Sequence, residues 1–388
     1  MKARISAALT LLACLSSHPQ HLAADPVEHL AEAIRIPTIS HQDREQIDYG
    51  AFEQFHQFLV RTYPTVFEKL SVEVVGQYSL LLAWPGKDSQ LKPVLFDSHY
   101  DVVPVEPGTE GEWTHPPFSG VIADGYLWGR GALDDKSSVI ATLEAIEALL
   151  KAGFQPTRTL LFSFAHDEEI GGRDGAANIA ARIEELGITL EYMIGEGGQV
   201  VEGSPFTPGK TMAMVALAEK TYVTLTLRVR GDGGHSSMPV TNNAVVNLAR
   251  AVAALHDNPF EPELVPPGTS RIEAIGEHSN GVQGFLMRNQ SLFGGVIASN
   301  MAKDPFSNAM VRSTTAVTMF NAGIKENVIP QQAQARVNFR LLPGVTPEQL
   351  VTEVKAIIAN PNIEIDAGNW GSGLPVTDIN GAGYQHVS

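Results

Sequence analysis

The sequence predicts an α/β protein: a mostly parallel sheet domain into which a smaller α+β domain is inserted. Three observations carry the α/β part. Between residues 80 and 194, short apolar runs alternate with segments of helical spacing, which is the pattern of a sheet covered on both faces. From residue 221 onward the pattern changes to polar/apolar alternation, as in half-exposed antiparallel strands. The chain has 388 residues, of which 44% are hydrophobic and 18% charged, enough for more than one core.

The elements follow in order. Residues 26–36 and 45–62 have helical spacing, and Pro26 suits a first turn. Residues 80–84 and 93–96 read as strands, 137–150 as a helix, 158–164 as a strand, 175–185 as a helix and 191–194 as a strand. In the second part, 221–230 reads as a strand and 242–255 as a helix. Strands at 316–320 and 333–341, a helix at 347–358 and a strand at 363–365 follow. Residues 259–312, rich in Pro, Gly and Asn, give no clear pattern. The expected organisation is a signal over 1–24, a sheet-domain segment over 25–212, an inserted α+β domain over 213–368 and a last segment that begins at 369–388.

Composition narrows the function. Acidic residues outnumber basic ones 43 to 27, a formal charge of −16, which argues against a nucleic-acid binder. A single cysteine excludes a disulfide framework and a cysteine-rich zinc module. Lys2 and Arg4 precede an apolar stretch, 5–14, too short to span a bilayer, so the segment reads as an export signal. Two cleavage sites remain open: before Cys14, with lipidation and a membrane tether through that residue, or near Ala23-Ala24. The expected location is periplasmic, lipoprotein-anchored or secreted.

The chemistry-bearing residues cluster after strand-like runs, where open α/β sheets place their sites. His99 follows an apolar run, and Asp101 stands two residues on. One imidazole nitrogen is available to a metal and the other to Asp101, or the pair is an ordinary capped loop. In Gly129-Arg130-Gly131-Ala132-Leu133-Asp134-Asp135-Lys136 two acids open a helix; an N-cap explains one of them. Glu168 and Glu169 are adjacent carboxylates at a strand end, which repel unless a cation lies between them or the loop is simply solvated. Glu196, among glycines after the run at 191–194, offers another carboxylate to the same edge. In the inserted part, His235 is glycine-flanked and suited to a substrate oxygen or a hairpin. Arg340 ends a strand and suits a carboxylate or an ordinary salt bridge.

Taken in order, SHYDVVP, GRGALDDK, HDEEIGG, GEGG, GGHSSMP, ENVIPQ and NFRLLPG resemble metallopeptidase family 20, the group of glutamate carboxypeptidase and aminoacylase-1. The wording at 101–136 resembles most the branch of Gly-X carboxypeptidases and secreted N-acyl-amino-acid hydrolases. The resemblance implies a zinc-exopeptidase-like catalytic domain over 25–212, interrupted by a lid over 213–368 and resumed by a returning segment that begins at 369–388. It implies zinc-dependent hydrolysis of an amide bond in small peptides or N-acyl amino acids. It implies His99, Asp134, Glu169 and Glu196 as zinc ligands, with Asp134 bridging two ions and followed by a cis peptide. It implies Asp101 as the partner of His99, Glu168 as general base and His235 as the lid residue on the scissile carbonyl. Asn327 and Arg340 would hold the substrate, and the lid would carry a homodimer. The family's last ligand histidine has no match here, since His386 lies in a different context. One well-formed zinc site is therefore expected. A catalytically impaired homologue that only binds a ligand or partner stands as the alternative.

Overall fold

The computed structural model describes residues 2–4, 25–202, 209–368 and 373–388. Apart from Lys2–Arg4, the signal segment with Cys14 lies outside the described residues, as do 369–372 of the expected returning segment. The chain divides into two compact units, Met1–Gly197 with Asn380–Ser388, and Gly198–Ile379. Residues up to 379 group with the second unit, where the Thr377 amide donates to the Leu217 carbonyl at 2.7 Å.

The first unit opens with three helices, α1 (Pro26–Arg35), α2 (Tyr49–Thr62) and α3 (Pro64–Lys69). Their starts are written in the sequence. Asp25 accepts the Val27 amide, Asp48 accepts the Gly50 amide, and Pro26 and Pro64 occupy positions that lack an intrahelical partner anyway. Strands β1 (Ser71–Val75), β2 (Ser79–Trp84) and β3 (Val94–His99) follow. A short hairpin, β4 (Val121–Ala123) and β5 (Tyr126–Trp128), precedes α4 (Lys136–Lys151), β6 (Leu160–Ala165), α5 (Ala176–Glu185) and β7 (Tyr192–Ile194).

The sheet order is β1-β2-β6-β3-β7. Strand β3 runs parallel to both β6 and β7, while β1/β2 and β2/β6 are antiparallel. The sheet is thus mixed, where the sequence pattern predicts a mostly parallel one. The difference arises at Gly76 and Gln77, whose φ values of 58° and 78° turn β1 straight back onto β2.

Side chains alternate across this sheet as the strand period requires. Leu80, Leu82, Phe162 and Phe164 face a core completed by Phe55 and Leu143 from the helices, whereas Leu81, Leu95 and Leu161 meet Ile179 and Ile183 of α5. Phe55 is fully buried and stacks on Tyr100 at 4.7 Å between ring centroids. Truncating such a ring to alanine costs about 3–5 kcal/mol. This packing fixes the carboxyl edge of the parallel half. There β3 ends at His99, β6 ends just before Glu168, and β7 ends just before Glu196.

The second unit contains a hairpin, β8 (Gln199–Glu202) and β9 (Thr211–Met214), then β10 (Thr221–Arg230), β11 (Gly234–His235) and α6 (Ala244–Asp257). The segment the sequence leaves unread holds α7 (Gly268–Glu277), α8 (Gly281–Arg288), α9 (Gln290–Met301) and α10 (Pro305–Val311). Strands β12 (Thr314–Ala322), β13 (Val328–Ile329) and β14 (Gln332–Leu341), helix α11 (Pro347–Ile358) and β15 (Ile363–Asp366) complete it. Its sheet is antiparallel throughout, in the order β12-β14-β10-β15. Val223, Leu225, Leu227 and Val229 all point to one face and pack with Leu248 of α6 and Leu350 of α11. Helix α12 (Ala382–Val387) returns to the first unit, where His386 stacks on Tyr192.

Candidate metal centre

His99 is the centre of the carboxyl edge. The residue is 2% exposed, and its two ring nitrogens face different partners. Nδ1 donates to the Asp101 carbonyl at 3.1 Å and lies 3.3 Å from Asp101 Oδ1. Nε2 lies 3.0 Å from Asp134 Oδ1, 3.3 Å from Glu196 Oε2 and 3.8 Å from Glu168 Oε2. A hydrogen bond at Nδ1 fixes the ring and leaves Nε2 as the nitrogen for a cation.

Asp101 is fully buried, and both its oxygens are saturated. Oδ2 accepts from Ser40 Oγ at 2.5 Å and from the Glu169 amide at 3.2 Å. Oδ1 accepts from the Glu168 amide at 3.1 Å and faces His99 Nδ1. One carboxylate therefore ties the β3 end to the loop that follows β6. That loop is pinned a second time by Asp167, which accepts the amides of Asp174, Gly175 and Ala176. Gly175 is required there, since a Cβ would lie 2.3 Å from Asp167 Oδ1.

Asp134 and Asp135 are joined by a cis peptide bond. Asp134 stays half-exposed toward His99. Asp135 is buried at the N-cap position of α4, makes no side-chain bond to the helix amides, and instead accepts the His99 amide at 3.4 Å. The N-cap explanation of this acidic pair therefore fails. Lys136, fully buried, donates to the carbonyls of Ala33 and Ile36 at 2.9 and 2.5 Å and so ties α4 to the end of α1.

The electrostatics are those of a cation site. Burial disfavours the charged imidazolium of His99, but bonds to Asp101, Asp134 and Glu196 outweigh it and raise the pKa. The bond to His99 holds Asp134 below the usual carboxylate range against burial. Burial, then Asp134, pushes Glu169 up to about 7. Burial also raises Glu168, with His99 opposing and Glu196 adding to the shift. Carboxylates that resist ionisation together are relieved by a divalent charge. Two ligand groups are present among the described residues: His99–Asp134–Glu196 and His99–Glu168–Glu169, each with ligand atoms within 4.8 Å of one another. Nitrogen and oxygen donors in such threes suit zinc or a similar ion.

The three candidates from the second unit are placed as follows. His235 pairs with Val328 across β11 and β13, and the Ser236 amide donates to the Asn327 carbonyl at 3.1 Å, so His235 and Asn327 are neighbours. His235 is exposed, and its Nδ1 contacts Ser237 Oγ at 2.8 Å. Asn327 Oδ1 is buried without a hydrogen-bond partner. Arg340 is exposed on β14 with its guanidinium 4.5 Å over the Tyr222 ring. Ser40, Asp135, Lys136 and Asp167 are the site's supports that sequence reasoning passes over. The adjacent acids in both loops were the available signal for the two aspartates; nothing local marks Ser40.

A buried histidine ringed by carboxylates at the strand ends of an α/β sheet is the arrangement of a metal-dependent hydrolase. The family model of peptidase family M20/M25/M40 matches residues 95–304, and the chain belongs to that family. A probable carboxypeptidase S-like protein of Dictyostelium discoideum is 40% identical over 87% of this chain and 65% of its own length. An N-fatty-acyl-amino acid synthase/hydrolase of Xenopus tropicalis is 38% identical over 90% of this chain and 68% of its own. The chain spans about two thirds of the length of these relatives. In fold it is similar to an M20 family metallo-carboxypeptidase from Sulfolobus solfataricus, with a TM-score of 0.63 at 21% identity, covering 93% of this chain and 81% of that one.

Proposed function

We propose that the chain is a zinc-dependent hydrolase of an amide bond in small peptides or N-acyl amino acids, exported and acting as a homodimer. The observation that carries the reading is the convergence of Asp134, Glu196 and Glu168 on Nε2 of one buried histidine. His99, Asp134 and Glu196 would hold one ion. Glu169, with Asp134, would serve a second, weaker one, because the single imidazole serves only one ion at a time.

A bound zinc ion supplies positive charge that polarises a carbonyl and acidifies water. The residues do the rest. Glu168 takes the proton of the attacking water and returns it to the leaving amine. Its raised pKa suits both transfers, and the Asp101 bond to its amide holds it in place. Asp101 also keeps His99 oriented.

In the second unit, His235 would polarise the scissile carbonyl, and Asn327 and Arg340 would hold the substrate. Asn327 Oδ1 is buried and unsatisfied, which favours a donor from a ligand. Arg340 is exposed on β14 with its guanidinium over the Tyr222 ring, and its planar fork suits a substrate carboxylate. The first unit and the returning helix would form the catalytic domain, and the second unit the lid and dimerisation domain.

The test is an assay of the zinc-loaded chain against dipeptides and N-acyl amino acids, with metal counted by mass spectrometry. Hydrolysis of either class with one tightly held zinc is expected. A chain that binds no zinc overturns the reading.

A further inference from the structure

The segment between α1 and α2 belongs to none of the strand-end motifs, yet it is buried against two of them. Thr38 and Ser40 are 0% and 1% exposed. Thr38 Oγ1 donates to the Tyr100 carbonyl at 2.5 Å, the Val102 amide donates to the Thr38 carbonyl, and the Ser40 amide donates to the Val102 carbonyl. Residues 38–40 thus form a short strap along residues 100–102, bridged in parallel at Ile39 and Val102. From the other side, Lys136 bonds the carbonyls of Ala33 and Ile36 just upstream.

The strap delivers one side chain to the metal centre. A carboxylate has about four acceptor sites. On Asp101 they meet the Glu168 amide, the Glu169 amide and Ser40 Oγ, while Oδ1 also faces His99 Nδ1, which donates to the Asp101 carbonyl. Ser40 is the only one of these donors that comes from outside the strand-end loops. Its bond, at 2.5 Å, is also the shortest of the four contacts.

We infer that Ser40 is a positioning residue of the metal centre, acting through Asp101 to set His99 and the Glu168–Glu169 loop. Without the hydroxyl, a fully buried carboxylate keeps two amide donors, and it rotates toward whatever donor compensates. Such a rotation moves the imidazole and the two glutamate amides at once. The inference rests on the proposed metal-centre reading.

The test compares Ser40→Ala with Thr38→Val in the full chain. Thr38→Val removes a buried hydroxyl of the same strap that bonds a backbone carbonyl and not Asp101. Zinc affinity is read by competition with a chromophoric chelator, and folding by the urea midpoint. Hydrogen exchange is read at the Glu168 and Glu169 amides. Ser40→Ala should weaken zinc by about 10–100-fold, the range of outer ligand supports, and speed exchange at those two amides. Thr38→Val should lower the urea midpoint and leave both readouts unchanged. Parental zinc affinity and exchange in Ser40→Ala, or an equal zinc loss in Thr38→Val, overturns the inference. If Ser40→Ala does not fold and Thr38→Val does, Ser40 is needed for the fold, and the inference is overturned as well. Failure of the parent chain to bind zinc overturns the metal-centre reading instead.

Discussion

Asp134 Oδ1 lies 3.0 Å from His99 Nε2, although the two residues belong to different loops, one closing β3 and the other opening α4. Glu196 reaches the same nitrogen from the end of β7. Three strand or helix ends thus place three kinds of ligand around one point.

Glu168→Gln should keep zinc and fold but lose hydrolysis. The amide has nearly the same shape but cannot accept the proton of the attacking water. General-base removal lowers kcat by about 10²–10⁴-fold. Steady-state kinetics beside a zinc titration checks this; parental turnover with bound zinc would remove Glu168 from the base role.

Glu169 makes the metal-free protein pH-sensitive. Its carboxyl is raised from 4.5 to about 7 in the fold, so the folded state holds the proton more tightly than the unfolded chain. That contribution is fully present below the unfolded value and is lost as pH rises through about 7. Urea unfolding of the metal-free chain at pH 5 and pH 8 should show a loss that Glu169→Gln lacks. A second zinc ion at Glu169, which must displace the same proton, should bind more weakly below pH 7.

Lys136 behaves in the opposite sense. Burial lowers its ammonium from 10.5 to about 7, with Asp101 opposing. Between these values the unfolded chain binds the extra proton, so stability rises with pH there, by up to about 1.4 kcal/mol per unit. Lys136→Met removes this slope, along with the two bonds to α1. The difference in unfolding free energy between parent and variant should therefore widen from pH 7 to pH 10. A constant difference would show that Lys136 stays charged in the fold.

Arg340→Met should raise KM for substrates with a free carboxylate and leave kcat nearly unchanged, because a clamp on a remote group binds ground and transition states alike. The effect should vanish on substrates whose carboxylate is amidated. A fall in kcat with constant KM would place Arg340 elsewhere in the reaction.

Much of the fold is readable from local pattern. The helix starts at Pro26 and Pro347, the buried runs at 80–84 and 160–164, and the alternation over Thr221–Arg230 each appear in the structure where periodicity puts them. Strand β1 and the helices α7–α10 do not show in the pattern. In β1, Val74 is exposed and Val75 buried at an edge, which blurs the alternation. In α9 the apolar residues go all the way around: Ile297 is buried while Leu292 and Val296 are largely exposed, and Gly294-Gly295 reads as a breaker.

For the site, residue types and positions after apolar runs mark His99, Glu168, Glu169 and Glu196 as candidates beside plainer readings, and it is the family resemblance that singles them out together with Asp134. Those signals are local, because an acid at a strand end is costly unless something there needs it. What the sequence leaves open is which of these groups meet. Strand β6 lies between β2 and β3, and β7 lies beyond β3, an order set by long-range pairing. That order alone brings the three strand ends together at Nε2. It also brings Ser40 against Asp101, 61 positions away, where a hydroxyl with no motif around it completes the support of the metal centre.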